Sequence, residues 1–158
     1  MESTYQDRIK HYLCILNLLQ PMGRILALDY GTKRVGIAVT DPLKIIATAL
    51  DTIHAKDVLV FLQNYTKTEA VEAFVLGMPL KLDQSDTNNT QHVRAFHKKL
   101  AETFPDIPIH LEDERFTSKI ALDTMIEMGS SRKDRQQKGN LDKISAVLIL
   151  QSFMEKMH

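Results

Sequence analysis

A short apolar segment that stops at an acid is the feature that most constrains this fold. The run Ile25–Leu28 is followed directly by Asp29. An unbroken apolar run of this length is typical of a strand buried on both faces. A buried ionised carboxylate is costly unless it is paired or bound to a metal. Because ligands of α/β sheets bind at the carboxyl ends of strands, Asp29 is a candidate site residue.

A glycine-containing turn and a second strand follow this acid. Residues 30–33 predict a turn, and Val35–Thr40 predicts a strand antiparallel to the first. Gly36 has no side chain within that strand, so a ligand or another backbone segment can approach it closely. Lys33 and Arg34 are candidates for contact with phosphate. The simpler interpretation is that the acid before the turn only caps it.

The order of the predicted elements indicates an α/β fold. A third strand is predicted within residues 45–53, after which helix and strand patterns alternate. A hairpin-led sheet followed by such alternation is typical of a mixed sheet flanked by helices. The further predictions are a helix at 57–65, a strand at 73–76, a loop at 82–90, helices at 93–104 and from 117 or 118 to 128, a strand at 107–111 and a final helix at 141–157.

Two further acidic positions could complete a site with the strand-end acid. Residues 112–115, Glu-Asp-Glu-Arg, directly follow a predicted strand, and Asp142 begins the final helix. Strand alternation places Glu112 and Glu114 on one side and Asp113 on the other. A few carboxylates typically hold Mg²⁺ together with water and phosphate. The simpler interpretations are a surface acidic turn and an acid favoured by the helix dipole.

Composition and charge exclude several classes of protein. The lone cysteine, Cys14, allows neither an intrachain disulfide nor a cysteine-based zinc site, which suits a reducing cytosol. No apolar run approaches the roughly 20 residues that span a bilayer. Lys plus Arg number 20 and Asp plus Glu number 20, and this neutrality argues mildly against a nucleic-acid partner. Residues 132–143 nevertheless carry a local charge of +3, in a basic patch or an ordinary solvated loop.

The chain divides into an extension and one domain. Residues 1–22 predict an N-terminal extension, with an apolar helical pattern at 11–19 that Pro21 ends. Residues 23–158 form the predicted domain, whose size is ordinary for a single domain. The sequence assigns no function to the extension.

From about Met22 to Met157 the chain resembles the YqgF/RuvX family of pre-16S rRNA nucleases and Holliday-junction resolvases. Four motifs carry the resemblance in order: LALDYGTKRVGIAVTD, VLGMPL, EDERFTS and DKISAVLILQSF. The resemblance implies an RNase H-like fold, a cytoplasmic bacterial protein and a metal-dependent nuclease. The last motif of the family commonly has two adjacent alanines, whereas this chain has Ser145-Ala146.

The resemblance also implies roles for individual residues. The acids that would bind Mg²⁺ or Mn²⁺ and act in catalysis are Asp29, Glu114 and Asp142, and the choice of Glu114 over Asp113 rests on the family pattern and on strand parity. Gly77 and Pro79 would shape the loop beside the site. The residues expected to support the site or to bind nucleic acid are Lys33, Arg34, Arg115, Arg132, Lys133, Arg135 and Lys138.

The resulting hypothesis is a hydrolase that cleaves nucleic-acid phosphodiesters in the cytoplasm, most directly at the 5′ end of pre-16S rRNA. Holliday-junction resolution and non-catalytic binding of RNA or ribosomes are alternatives on the same fold. An ATP-dependent kinase or chaperone-like ATPase is a third alternative, although the sequence has no second phosphate loop. The expected partner is nucleic acid, RNA before DNA, with ribosomal precursor particles as a further candidate. The chain is expected to be a monomer or a weak dimer with no membrane association.

Overall fold

A computed structural model describes residues 23–79, 88–113 and 138–157 of the chain. Within these ranges, five strands form one sheet in the order β3-β2-β1-β4-β5. The strands β1, β2 and β3 pair antiparallel, whereas β4 pairs parallel with both β1 and β5. The strands are β1 Arg24–Tyr30, β2 Arg34–Thr40, β3 Ala47–His54, β4 Val71–Met78 and β5 Ile109–Asp113.

Helices cover both faces of this sheet. Helix α1 spans Val58–Thr68 and α2 spans Thr90–Thr103, and both pack with Leu26 and Leu28 of β1 in one apolar cluster. Helix α3 spans Lys138–Met157 and packs on the opposite face. The residues of this second cluster are Ile25, Ala27, Ala38, Ala73, Val75, Ala146, Ile149, Leu150 and Met154.

The alternation of β1 explains why its apolar run is unbroken. Even-numbered side chains of the strand contact α1 and α2, and odd-numbered side chains contact α3, so both faces need apolar residues. The predicted mixed α/β sheet flanked by helices is therefore confirmed. An antiparallel hairpin extended by parallel strands is the RNase H-like arrangement that the family resemblance implies.

Several predicted boundaries are wrong by a few residues. Strand β3 starts at Ala47 rather than 45, because the Asp41 carboxylate accepts hydrogen bonds from the backbone of the preceding turn. Helix α2 begins at Thr90, within the predicted loop, and α3 begins at Lys138 rather than 141. Strand β5 runs to Asp113 instead of ending at 111.

The extension of β5 has a physical cause. Glu112 continues the parallel ladder opposite Gly77, and Asp113 lies opposite Met78, so both acids belong to the strand rather than following it. The predicted extension at 1–22 and the predicted helix at 117 or 118 to 128 lie outside the described residues. Within the described ranges, none of the helices is long and apolar enough to cross a membrane.

Candidate active site at the carboxyl end of β1

The start of α3 lies directly against β2 at a glycine. A Cβ atom placed on Gly36 would lie 2.0 Å from the carbonyl oxygen of Asp142 and 3.2 Å from its Cα. Real Cβ atoms essentially never approach other atoms within 3.0 Å, so only glycine allows this contact. The space left by the missing side chain of Gly36 is therefore occupied by the backbone of Asp142 in α3.

This contact brings two of the three predicted metal-binding acids to the same face. Asp29 lies directly opposite Gly36 in the antiparallel pair, and residues directly opposite each other project to one side of a sheet. The alternation of β1 agrees, because Ile25 and Ala27 pack in the α3 cluster. Asp29 and Asp142, which are remote in sequence, thus share the α3 face at the end of β1.

An ion pair joins the second of these acids to the start of β2. The Nε atom of Arg34 donates to Oδ2 of Asp142 at 2.9 Å. The two side chains are 41% and 26% exposed, and pairs this accessible contribute about 0–1 kcal/mol. Arg34, predicted to bind phosphate, therefore contacts Asp142, predicted to bind the metal. The ion pair is weak enough for a bound cation or phosphate to replace either partner. Lys33, also predicted to contact phosphate, lies exposed in the preceding turn.

The acids of β5 have separate environments. Glu112 is 4% exposed and accepts hydrogen bonds from Oγ of Ser152, at 2.6 Å, and from Nζ of Lys156. These contacts place Glu112 on the α3 face and make it an anchor between β5 and the helix. Asp113 is exposed at the next position. Glu114 follows the described part of β5, so its placement is not seen.

Helix α3 crosses the strands in line with these acids. Asp142 lies over β2, whereas Ser152 and Lys156 contact Glu112 on β5. Ten helical residues extend about 15 Å, which matches the roughly 14 Å of three interstrand spacings between β2 and β5. Ser145 lies about 4.5 Å beyond Asp142 along the axis, close to one interstrand spacing, in the direction of β1.

The hydroxyl of Ser145 fits a polar ligand at this point. Ser145 is 2% exposed, and its Oγ has no hydrogen-bond partner in the described part of the chain. Buried polar groups are nearly always paired in proteins, so such an atom needs an explanation. Two carboxylates on one face offer the oxygen ligands that Mg²⁺ and Mn²⁺ prefer, and a buried hydroxyl one helical turn from Asp142 can hydrogen-bond to a ligand of such a cation. The residues present therefore fit the implied cation.

Two residues at the start of α2, which the sequence analysis did not single out, hydrogen-bond to the backbone at the carboxyl ends of β1 and β4. Asn89 donates to the carbonyl of Tyr30 at 2.8 Å, and the buried Thr90 donates to the carbonyl of Pro79 at 2.6 Å. These contacts attach the carboxyl ends of β1 and β4 to the start of α2. The polar sequence before α2 could have indicated that these side chains form hydrogen bonds, but it could not identify the carbonyl groups that accept them.

The remaining predicted site residues fall in or beside the undescribed segments. Lys138 is the first residue of α3. Across residues 23–79, 88–113 and 138–157, no group of three or more His, Cys, Asp or Glu side chains is arranged to hold a metal. Arg115, Arg132, Lys133 and Arg135 lie outside the described residues, as does Glu114, the third predicted ligand.

Comparison with known proteins supports the motifs seen in the sequence. Residues 23–156 match the sequence profile of the RuvX family, described as a Holliday junction resolvase. A relative from Amoebophilus asiaticus is 52% identical over 133 residues, covering 84% of this chain and 94% of the relative. A relative from Porphyromonas gingivalis is 48% identical over 134 residues, covering 85% and 97%. Both relatives carry the name "Putative pre-16S rRNA nuclease".

RuvC of T. thermophilus in complex with a Holliday junction substrate is 14% identical to this chain, with a TM-score of 0.49. The match covers 85% of this chain and 96% of that protein.

Proposed function

This chain belongs to the RuvX family, and we propose that it is a divalent-metal-dependent endonuclease that hydrolyses phosphodiesters of precursor 16S rRNA. The names of the relatives supply the substrate. The observation that carries the chemistry is the meeting of Asp29 and Asp142 on one face, with the backbone of Asp142 against Gly36. We assign the nuclease domain to 23–158 and regard 1–22 as an extension.

Asp29 and Asp142 would hold Mg²⁺ or Mn²⁺, with Glu114 as the third ligand. Continued alternation beyond Glu112 would place Glu114 on the α3 face and leave Asp113 on the other. A bound divalent cation polarises the phosphoryl oxygen and makes water more acidic. The acids contribute by fixing the position at which the scissile phosphate is bound, and no enzyme side chain attacks it.

The basic residues would hold the substrate backbone. Lys33 lies exposed in the turn after Asp29, and Arg34 adjoins it beside Asp142. Arg115, Lys138 and the basic residues of 132–135 would add phosphate contacts. Such contacts set the position of a nucleic acid without reading its sequence, so affinity should fall steeply with salt.

Two other functions predict different results. The description of the family favours a DNA four-way junction as the alternative substrate, and two coordinated cuts would require a dimer. The other candidate is a factor that binds RNA or ribosomal precursor particles without cleaving them. For the proposed rRNA nuclease we expect a cytoplasmic location and a monomer or weak dimer.

A cleavage assay separates these functions. The substrates are structured RNA with a ribosomal precursor end and a DNA four-way junction, each tested with Mg²⁺, Mn²⁺ and EDTA. Asp29→Asn and Glu114→Gln should abolish cleavage, whereas Asp113→Asn should retain it. Glu102→Gln is the matched control, because Glu102 is an exposed acid at the end of α2, outside the site.

Each outcome has one meaning. Metal-dependent cutting of RNA that Asp29→Asn abolishes would support the proposal. Preferential cutting of the four-way junction would replace the substrate while keeping the chemistry. Binding without cutting in either metal, unchanged by Asp29→Asn, would overturn the nuclease in favour of the binding factor.

A further inference from the structure

We propose that Ser145 is a positioning residue whose hydroxyl hydrogen-bonds to the hydrated cation held by Asp29 and Asp142. This inference rests on the proposed function and adds a residue to its site. The family motif commonly has alanine at this position, whereas here the side chain is a serine. The proposal therefore concerns a property of this chain rather than of the family pattern.

The burial of the hydroxyl is the first observation. Ser145 is 2% exposed and its Oγ has no hydrogen-bond partner among residues that the structure describes. Leaving a buried hydroxyl unpaired destabilises the folded protein, because the hydroxyl loses its hydrogen bonds to water. An alanine at this position would avoid that loss. A requirement of folding therefore does not explain the serine, whereas a bound ligand that hydrogen-bonds to its hydroxyl does.

The direction of the side chain is the second observation. Ser145 and Ser152 are seven residues apart, so they lie on nearly the same side of α3. Ser152 Oγ contacts Glu112 on β5, opposite Gly77. From this shared side of the helix we infer that Ser145 faces the carboxyl end of β1, where Asp29 lies.

The chemistry of the cation is the third argument. Mg²⁺ releases its water ligands reluctantly and usually keeps several of them when protein carboxylates bind it. Groups that hydrogen-bond to the ligands of a metal raise its affinity and orient the site. A hydroxyl between two carboxylate-bearing elements is placed for this role, since it can both donate and accept.

Titration of the full chain with MnCl₂, followed by calorimetry, tests the proposal without any measurement of cleavage. Ser145→Ala should weaken Mn²⁺ binding about 3- to 10-fold, as expected for one hydrogen bond. The urea midpoint of the metal-free protein should stay the same or rise, because an unpaired buried hydroxyl is removed.

Ser152→Ala is the matched control on the same side of α3. It removes a hydroxyl that is paired with the buried Glu112, so it should lower the urea midpoint and leave Mn²⁺ affinity unchanged. Equal Mn²⁺ affinity of wild type and Ser145→Ala would overturn this inference alone, whatever happens to the urea midpoint. Failure of the wild type to bind Mn²⁺ or Mg²⁺ would overturn both this inference and the metal-dependent nuclease.

Discussion

Substituting Gly36 with alanine should displace the start of α3 and with it Asp142. The added Cβ would lie 2.0 Å from the Asp142 carbonyl oxygen and 2.4 Å from its carbonyl carbon. Because Cβ atoms essentially never approach other atoms within 3.0 Å, the turn of α3 that carries Asp142 must move by about 1 Å. Backbone lies on both sides of the contact, so no side-chain rotation relieves it.

The expected effects follow from that displacement. Overpacking costs about 1–3 kcal/mol, and we expect the upper end of this range because two backbone segments are forced apart. A misplacement of about 1 Å in an active site can cost roughly 100-fold in rate. Gly36→Ala should therefore lose about 3 kcal/mol of unfolding free energy and about 100-fold in cleavage rate.

Urea denaturation and single-turnover cleavage of precursor RNA measure the two effects. Gly23→Ala is the matched control, since its Cβ would lie 2.8 Å from Cβ of Glu72, at the opposite end of β1 from Asp29. The control should lose stability but keep its cleavage rate below the unfolding transition. A Gly36→Ala protein with wild-type stability and cleavage would refute the close contact of β2 and α3.

Three other predictions concern charged groups. Arg34→Gln should weaken RNA binding and reduce the slope of log affinity against log salt by about 0.7–0.9, while Mn²⁺ affinity at Asp142 stays equal or rises because a competing cation is gone. Glu112→Gln should lower the unfolding free energy by about 1–2 kcal/mol in urea melts, and Lys156→Gln should lower it at least as much, because it removes the cation that faces a carboxylate whose side chain is only 4% exposed. Backbone amide donors, foremost that of Ile46, lower the pKa of Asp41 below its ordinary value of 3.8; its stabilising contribution should be present at neutral pH and disappear as pH falls through that lowered pKa, so Asp41→Asn should lower the urea midpoint at pH 7 more than at pH 2. An unchanged salt slope, a Lys156→Gln variant with wild-type stability, or a pH-independent effect at Asp41 would contradict these assignments.

The sheet could be predicted from sequence because its signals are local. The apolar run of β1, its acid and the glycine turn are adjacent in the chain, and alternation assigns each side chain to a face. Strand alternation also correctly separated Glu112 from Asp113. Local patterns could not predict where β5 ends, because Glu112 belongs to the strand through its pairing with Gly77 on β4.

The contacts of α3 depend on tertiary packing and were not accessible from sequence. The ion pair of Arg34 with Asp142 joins residues 108 positions apart, and the bond from Ser152 to Glu112 spans 40. Both depend on the direction in which the helix crosses the strands. Gly36 was recognised as a place of close approach, but its neighbour could have been a ligand or backbone, and the structure shows the backbone of Asp142.

The most direct test of the account is Mn²⁺ binding by the wild type, Asp29→Asn, Asp142→Asn and the double variant. If the two acids hold one cation, each single variant should weaken binding at least about tenfold, and the double variant should lose much less than the sum of the two effects, because residues of one site are not additive. Metal affinity that is unchanged in either single variant, or additive losses from two independent sites, would contradict the shared site.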